Sequence, residues 1–121
     1  MSSNVDVQRE EGVPVARLLG EIDLTRAPEV RVDLLRAVTN LDHGLVLDLR
    51  ETTYLDSAGV NVIFELAERL RSRQQGLAAV VPERAIIERL IELVNFRSIL
   101  QTHRDVDDAV AWVQQLAPDG E

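Results

Sequence analysis

The chain of 121 residues contains no cysteine. Disulfides, thiolate nucleophiles and cysteine-ligated metals are therefore excluded at the outset. Aromatic residues make up only 3% of the chain, so a core must be built from Val, Leu, Ile and Ala. Basic residues are outnumbered, 13 against 21 acidic ones, which leaves a formal net charge of −8. Such a chain is repelled by phosphate backbones, and no direct contact with nucleic acid is expected. No apolar run approaches the roughly 20 residues that span a membrane, and no membrane association is expected. The first residues, Met-Ser-Ser-Asn-Val-Asp, do not read as a signal peptide. A cytoplasmic protein is expected. The two histidines, His43 and His103, stand far apart with no cluster of ligands around either, so no metal site is expected. No glycine-rich phosphate loop is present, and no nucleotide or other cofactor is expected.

What is present is the pattern of a small α/β domain. Residues 5–10 alternate apolar and polar side chains, and residues 11–14 read as a turn. Residues 15–20 then complete an antiparallel hairpin. A helix follows, with Thr25 as its expected cap, Pro28 in its first turn, and Ala27, Val30, Leu34, Val38 and Leu41 at helical spacing. Residues 44–50 form an apolar strand suited to the centre of a sheet, and residues 51–57 read as a loop. The next helix starts at Asp56-Ser57 and runs to about Arg73. Residues 76–82 form another buried strand. Residues 83–95 make an amphipathic helix with Ile86, Ile87, Leu90, Ile91 and Val94 on one face, ended by Asn95. A weak strand near 99–103 precedes a last helix over 106–115, capped by Asp105, with Trp112 packing inward and a frayed tail at 117–121. Helical connections between strands imply parallel pairing. The expected fold is one small α/β domain spanning 1–121, with a core over about 5–116. It has a mixed four- to five-stranded sheet, an N-terminal antiparallel hairpin and about four helices.

In open α/β sheets, sites form beyond the carboxyl ends of the parallel strands. Two segments qualify, residues 20–23 and residues 51–57. Ser57 then stands at a helix N-terminus, where free N–H groups and the dipole favour a negative group. Asp and Ser are also the preferred capping residues, so Asp56-Ser57 has a purely structural reading. Gly59 has one too, as a point of close approach to a strand. A serine hydrolase is excluded. The elbow Gly-x-Ser-x-Gly lacks its first glycine at Leu55, and neither His43 nor His103 is placed to act as its base.

The helix after Ser57 has two faces. At about 100° per residue, Gly59, Ile63, Leu66 and Leu70 cluster toward a core, with Val62 and Ala67 at the margins. Ser57, Asn61, Phe64 and Glu68 fall opposite. Phe64 there either packs on a neighbouring helix or, with Val60, anchors a partner.

Three stretches, "GEIDLTRAPEVR", "LVLDLRETTYLDSAGVNVIF" and "VNFRSILQTHRDVDDAVAWV", resemble the STAS family, in particular bacterial anti-sigma factor antagonists. One signature is the strand followed by Asp56, Ser57 and Gly59. The other is the turn Gly20-Glu21-Ile22-Asp23. The family often carries a second serine and a second glycine in this helix, where this chain has Ala58 and Asn61. The resemblance implies a binding protein and not an enzyme. An anti-sigma factor that is also a serine kinase would phosphorylate Ser57. The unphosphorylated chain would bind that anti-sigma factor and free the sigma factor, and a serine phosphatase would restore the active form. Glu21, Asp23, Asp56, Ser57, Val60, Asn61 and Phe64 are the expected partner-binding residues. Glu21, Asp23 and Asp56 are expected to make the surface around Ser57 acidic. Thr52 and Thr53 are nearby hydroxyls that offer alternative acceptors. Other STAS proteins serve as accessory subunits of ATP-binding cassette transporters or as scaffolds of stress-signalling assemblies; in a transporter subunit Ser57 would be only a cap.

Overall fold

A computed structural model of the chain describes residues 4–83, 89–91, 95 and 99–116. Two strands, β1 (Val5–Glu10) and β2 (Val13–Leu18), form the antiparallel hairpin. The turn is tighter than the sequence suggested. Glu11 and Gly12 alone connect the strands, both with positive φ (51° and 83°), and Glu10 pairs with Val13. That backbone matches the right-handed twist of a hairpin, so Val13 and Pro14 join the strand instead of the turn. β3 (Gly20–Ile22) follows, then α1 (Ala27–Ala37), β4 (Gly44–Asp48), β5 (Thr52–Leu55) and α2 (Ser57–Ser72). β6 (Gly76–Val80), β7 (Gln101–His103) and α3 (Val106–Gln114) complete the described elements. Residues 89–91 are helical, and Asn95 has the positive φ (57°) expected of a terminator. The rest of the helix expected over 83–95, including Ile86, Ile87 and Val94, lies outside the described residues, as does the tail.

The main sheet has the order β1-β2-β4-β6-β7, with every pair after the first parallel. Alternation along the strands assigns its two faces. Ala16, Leu18, Leu45, Leu47, Leu77 and Ala79 point into the larger core, which α1, α2 and Ile91 cover. Val13, Val15, Val46, Ala78 and Val80 point the other way, onto Ala109, Val110 and Val113 of α3. Both faces are covered, which explains why the central strands read as unbroken apolar runs. Trp112 is half-buried at the rim of the smaller core, 6.1 Å from the His103 ring, and does not fill the interior. Asp105 caps α3 as expected, its carboxylate accepting from the Asp108 amide at 2.8 Å. Leu41 does not continue α1; the helix stops at Ala37, and Leu41 is 92% exposed in the following turn.

The largest departure from the expected fold lies at the carboxyl edge. β2 ends at Leu18, two residues short of expectation, and the chain bends at Gly20 (φ 76°) into β3. The segment after β4 is not a loop throughout, because β5 pairs in parallel with β3 as a separate two-stranded ribbon. Thr52 bridges the two sheets. Its hydroxyl donates to the Leu18 carbonyl at 2.7 Å and is 4% exposed as a residue. Thr52 is thus spent on holding the ribbon against the end of β2 and is not available as a phosphoacceptor. Thr52→Val keeps the shape but leaves that buried carbonyl short of a donor, and a loss of about 1 kcal/mol is expected on denaturant unfolding.

Candidate functional site

The ribbon carries both loops of interest to one place. After β3 comes Asp23; after β5 comes Asp56. Ile22 and Leu55 are buried register partners, so the two acids emerge side by side. The first turn of α2 then packs down on β3. A Cβ at Gly59 would lie 2.7 Å from the Ile22 carbonyl oxygen and 3.1 Å from Leu55 Cδ2, which is closer than real Cβ atoms approach a backbone. Only a residue without Cβ lets α2 start this near the ribbon.

Asp56 holds the junction. Its Oδ1 accepts from the amides of Ala58 (2.9 Å) and Gly59 (3.0 Å), making it the N-cap of α2. Its Oδ2 accepts from the Leu24 amide at 3.0 Å, which pins the other loop. Its backbone N–H donates to the Ile22 carbonyl at 3.3 Å, and its own carbonyl accepts from Val60 at 2.9 Å. One side chain therefore starts the helix and fastens the two loops together.

Asp23 is likewise committed. Its Oδ1 accepts from the amides of Thr25 and Arg26, both at 3.1 Å, and its Oδ2 pairs with the Arg26 guanidinium at 2.8 Å. Thr25 was the expected cap of α1. The N-cap position is Arg26, whose side chain makes no capping bond, and Asp23 tightens the turn in its place. The acidic surface expected from three residues is correspondingly smaller. Asp23 is compensated by Arg26 and Asp56 is occupied by amides, which leaves Glu21, exposed on β3, as the one of the three with a carboxylate turned to solvent and no salt-bridge partner among the described residues.

Ser57 is the first residue of α2 and is exposed, and its hydroxyl has no hydrogen-bond partner among the described residues. The capping role that would have explained this serine belongs to Asp56. Asn61, one turn on, is also exposed, and Val60 is half-buried against the larger core. Phe64 is half-buried and packs against the same core. Among the described residues no group of three His, Cys, Asp or Glu side chains is placed to hold a metal ion, and no helix is long and apolar enough to cross a membrane.

Three features escaped the sequence reading. Asp48, inside the apolar run 44–50, is 2% exposed and pairs with Arg50 at 2.8 Å. Donation to the Asp48 carboxylate holds the Arg50 guanidinium above its ordinary range, and the pair closes the end of β4. Leu24, whose amide is bonded to Asp56, and Tyr54, the register partner of Glu21, are 75% and 49% exposed. Each is apolar in a segment taken for a loop, and recognising β5 would have put Tyr54 on its outer face.

A profile of the STAS domain matches residues 4–109. BtrV of Bordetella bronchiseptica, described as an anti-sigma factor antagonist, is 26% identical over 108 residues, 89% of this chain and 92% of its own. The anti-sigma F factor antagonist of Paenibacillus polymyxa is 26% identical over 118 residues, 97% of this chain and 100% of its own. The crystal structure of an anti-sigma factor antagonist from Mycobacterium paratuberculosis superposes with a TM-score of 0.75 at 27% identity, covering 91% of this chain and 92% of that one. With the profile spanning most of the chain, this chain belongs to the STAS domain family.

Proposed function

We propose that the chain is an anti-sigma factor antagonist switched by phosphorylation of Ser57. Unphosphorylated, it binds an anti-sigma factor that is also a serine kinase and so releases the sigma factor. Phosphorylated, it lets go, and a serine phosphatase resets it. The observation that carries this reading is the unemployed hydroxyl of Ser57. It is exposed on the first residue of α2, at the junction of two loops, while Asp56 makes every side-chain bond of the cap. The alternative of a transporter accessory subunit took Ser57 as only a cap, and the side-chain bonds of the cap come from Asp56. The kinship with two relatives named as anti-sigma factor antagonists supports the partner class.

Phosphoryl transfer tests it. Incubated with its cognate anti-sigma kinase and magnesium ATP, the chain should gain one phosphate as the serine Oγ displaces ADP from the γ-phosphorus. Peptide mass spectrometry should place the group on Ser57, and Ser57→Ala should take up none. Phosphate on the exposed Thr53 with Ser57 bare would refute the assignment.

A further inference from the structure

Among the described residues Leu41 is the most exposed large apolar side chain, at 92%. The turn that carries it is firmly built. The Asp42 carboxylate accepts from the Thr39 amide at 2.7 Å and from the Thr39 hydroxyl at 3.1 Å, and that hydroxyl accepts from the Leu41 amide at 3.2 Å. Arg9 of β1 pairs with Asp42 at 2.9 Å. The buried Gln75 donates to the Thr39 and Asp42 carbonyls at 2.7 and 2.9 Å. The turn thus uses the Leu41 backbone, while the side chain is left in solvent.

Beside the turn is a cavity of about 230 Å³, with Leu41 on its rim. Its lining includes the buried Val13 and Val113, together with Gly44, Glu11 and Gln114. The Gln114 side-chain amide is already bonded to the Glu11 carbonyl at 3.2 Å. Clefts that hold small organic ligands run from about 300 to 1,000 Å³, so this one suits a single inserted side chain. Turn and cavity lie at the amino ends of β4 and β6, where the His43 carbonyl accepts from the Gly76 amide. Ser57 follows β5, beyond the carboxyl end of β4, at the opposite end of the sheet.

We propose that two copies of this chain pair through this amino edge, the Leu41 side chain of each entering the cavity of the other. Three observations carry it. First, an apolar knob and an apolar hole stand side by side on one edge. A two-fold rotation then brings each knob over the other copy's hole, which is the self-complementarity an isologous dimer needs. Second, the knob's backbone is fixed before contact by the bonds of Thr39, Asp42 and Gln75, so little ordering is lost on pairing. Third, the pairing leaves the end that bears Ser57 uncovered on both copies, so it adds to the function argued above without depending on it. Charge opposes the pairing, since each copy carries −8. Salt screens that repulsion and leaves the apolar contact in place, so the dimer tightens as salt is added.

Sedimentation equilibrium of the full chain tests this. Between about 10 µM and 1 mM the chain should pass from monomer to dimer, and more completely in about 0.5 M than in about 0.05 M sodium chloride. Leu41→Asp should weaken the pairing at least about 10-fold, whereas Val32→Asp, the same new charge on α1, should leave it within about twofold. Circular dichroism should show both variants folded, because both side chains are at the surface. In a mixture of carbon-13-labelled and unlabelled copies, isotope-filtered NMR should show Leu41 methyls of one copy against Val13 and Val113 methyls of the other. A chain that stays monomeric up to about 1 mM in high salt would overturn the proposal. So would a dimer that loosens with salt, one that Leu41→Asp leaves as tight, or contacts of Leu41 with Val113 only within one copy.

Discussion

Phosphorylation of Ser57 is expected to weaken the complex with the anti-sigma factor by about 100-fold or more, the equivalent of about 2.7 kcal/mol. The size follows from where the phosphate would go. A phosphoserine brings a charge of about −1.5 to −2 and three acceptor oxygens. A helix N-terminus ordinarily offers free amides to such a group. Here Asp56 already accepts from Ala58 and Gly59, and the Val60 amide is bonded to the Asp56 carbonyl. The domain keeps a favourable dipole but has few donors left to wrap the phosphate. It therefore stands outward, and a partner shaped for a neutral hydroxyl must bury it uncompensated, which costs several kcal/mol. Ser57→Ala, small and neutral, should bind as the unmodified protein does. Ser57→Asp carries about half the charge and should fall between the two. Calorimetric titration of the phosphorylated, unphosphorylated and substituted forms checks the order; equal affinity throughout would put Ser57 outside the contact.

Gly59→Ala should destabilise the fold by about 2 kcal/mol, although alanine is the better helix former by up to about 1 kcal/mol. The two effects are opposed, and geometry decides between them. The new methyl would lie 2.7 Å from the Ile22 carbonyl, a backbone atom held in the β3–β5 ladder, and would press on Leu55 and the Ile22 side chain as well. None of these can swing aside as a surface side chain could. Relief requires the first turn of α2 to lift from the ribbon, which also strains the Asp56–Leu24 bond. Urea unfolding should show the lower midpoint. Residual folded protein should bind its partner more weakly, because Ser57 and the loop after β3 no longer keep their spacing. A midpoint equal to or above that of the parent chain would mean that the approach of α2 to β3 is looser than described.

Most of the architecture was legible because its cause is local. The apolar runs 44–48 and 76–80 are buried on both faces, and the apolar stripe of α2, from Gly59 to Leu70, is the face predicted from its spacing. Asp105 and Pro28 mark their helices by chemistry that operates within a turn. The ribbon was not legible. β3 has three residues and β5 four, too few for a period to show, and their pairing is decided by contacts over 30 residues apart in sequence. The capping role of Asp56 was legible, since its bonds to the Ala58 and Gly59 amides lie within one turn, but its bond to the Leu24 amide, 32 positions away, was not. Asp23 was expected as surface charge, and its carboxylate is instead taken up by the Thr25 and Arg26 amides and the Arg26 guanidinium. Thr52 illustrates the point most simply: a threonine in a polar stretch reads as solvated, and its Leu18 partner is 34 positions away.

The main sheet is open, and open sheets carry a hazard at their borders. An unpaired strand offers its backbone as a template on which a neighbouring molecule can polymerise. The two borders here are blunted in different ways. β1 places Asp6, Gln8, Arg9 and Glu10 at the surface, a row of polar and charged side chains that resists stacking with its like. β7 is three residues long, too short to seed a lasting ladder. The apolar strands most prone to fibril formation, β4 and β6, lie inside these guards. A neutralising substitution on β1, harmless to the core and remote from Ser57, would therefore act first on colloidal behaviour, turning a well-dispersed domain into one that gels or precipitates while its fold and its partner contacts are still intact.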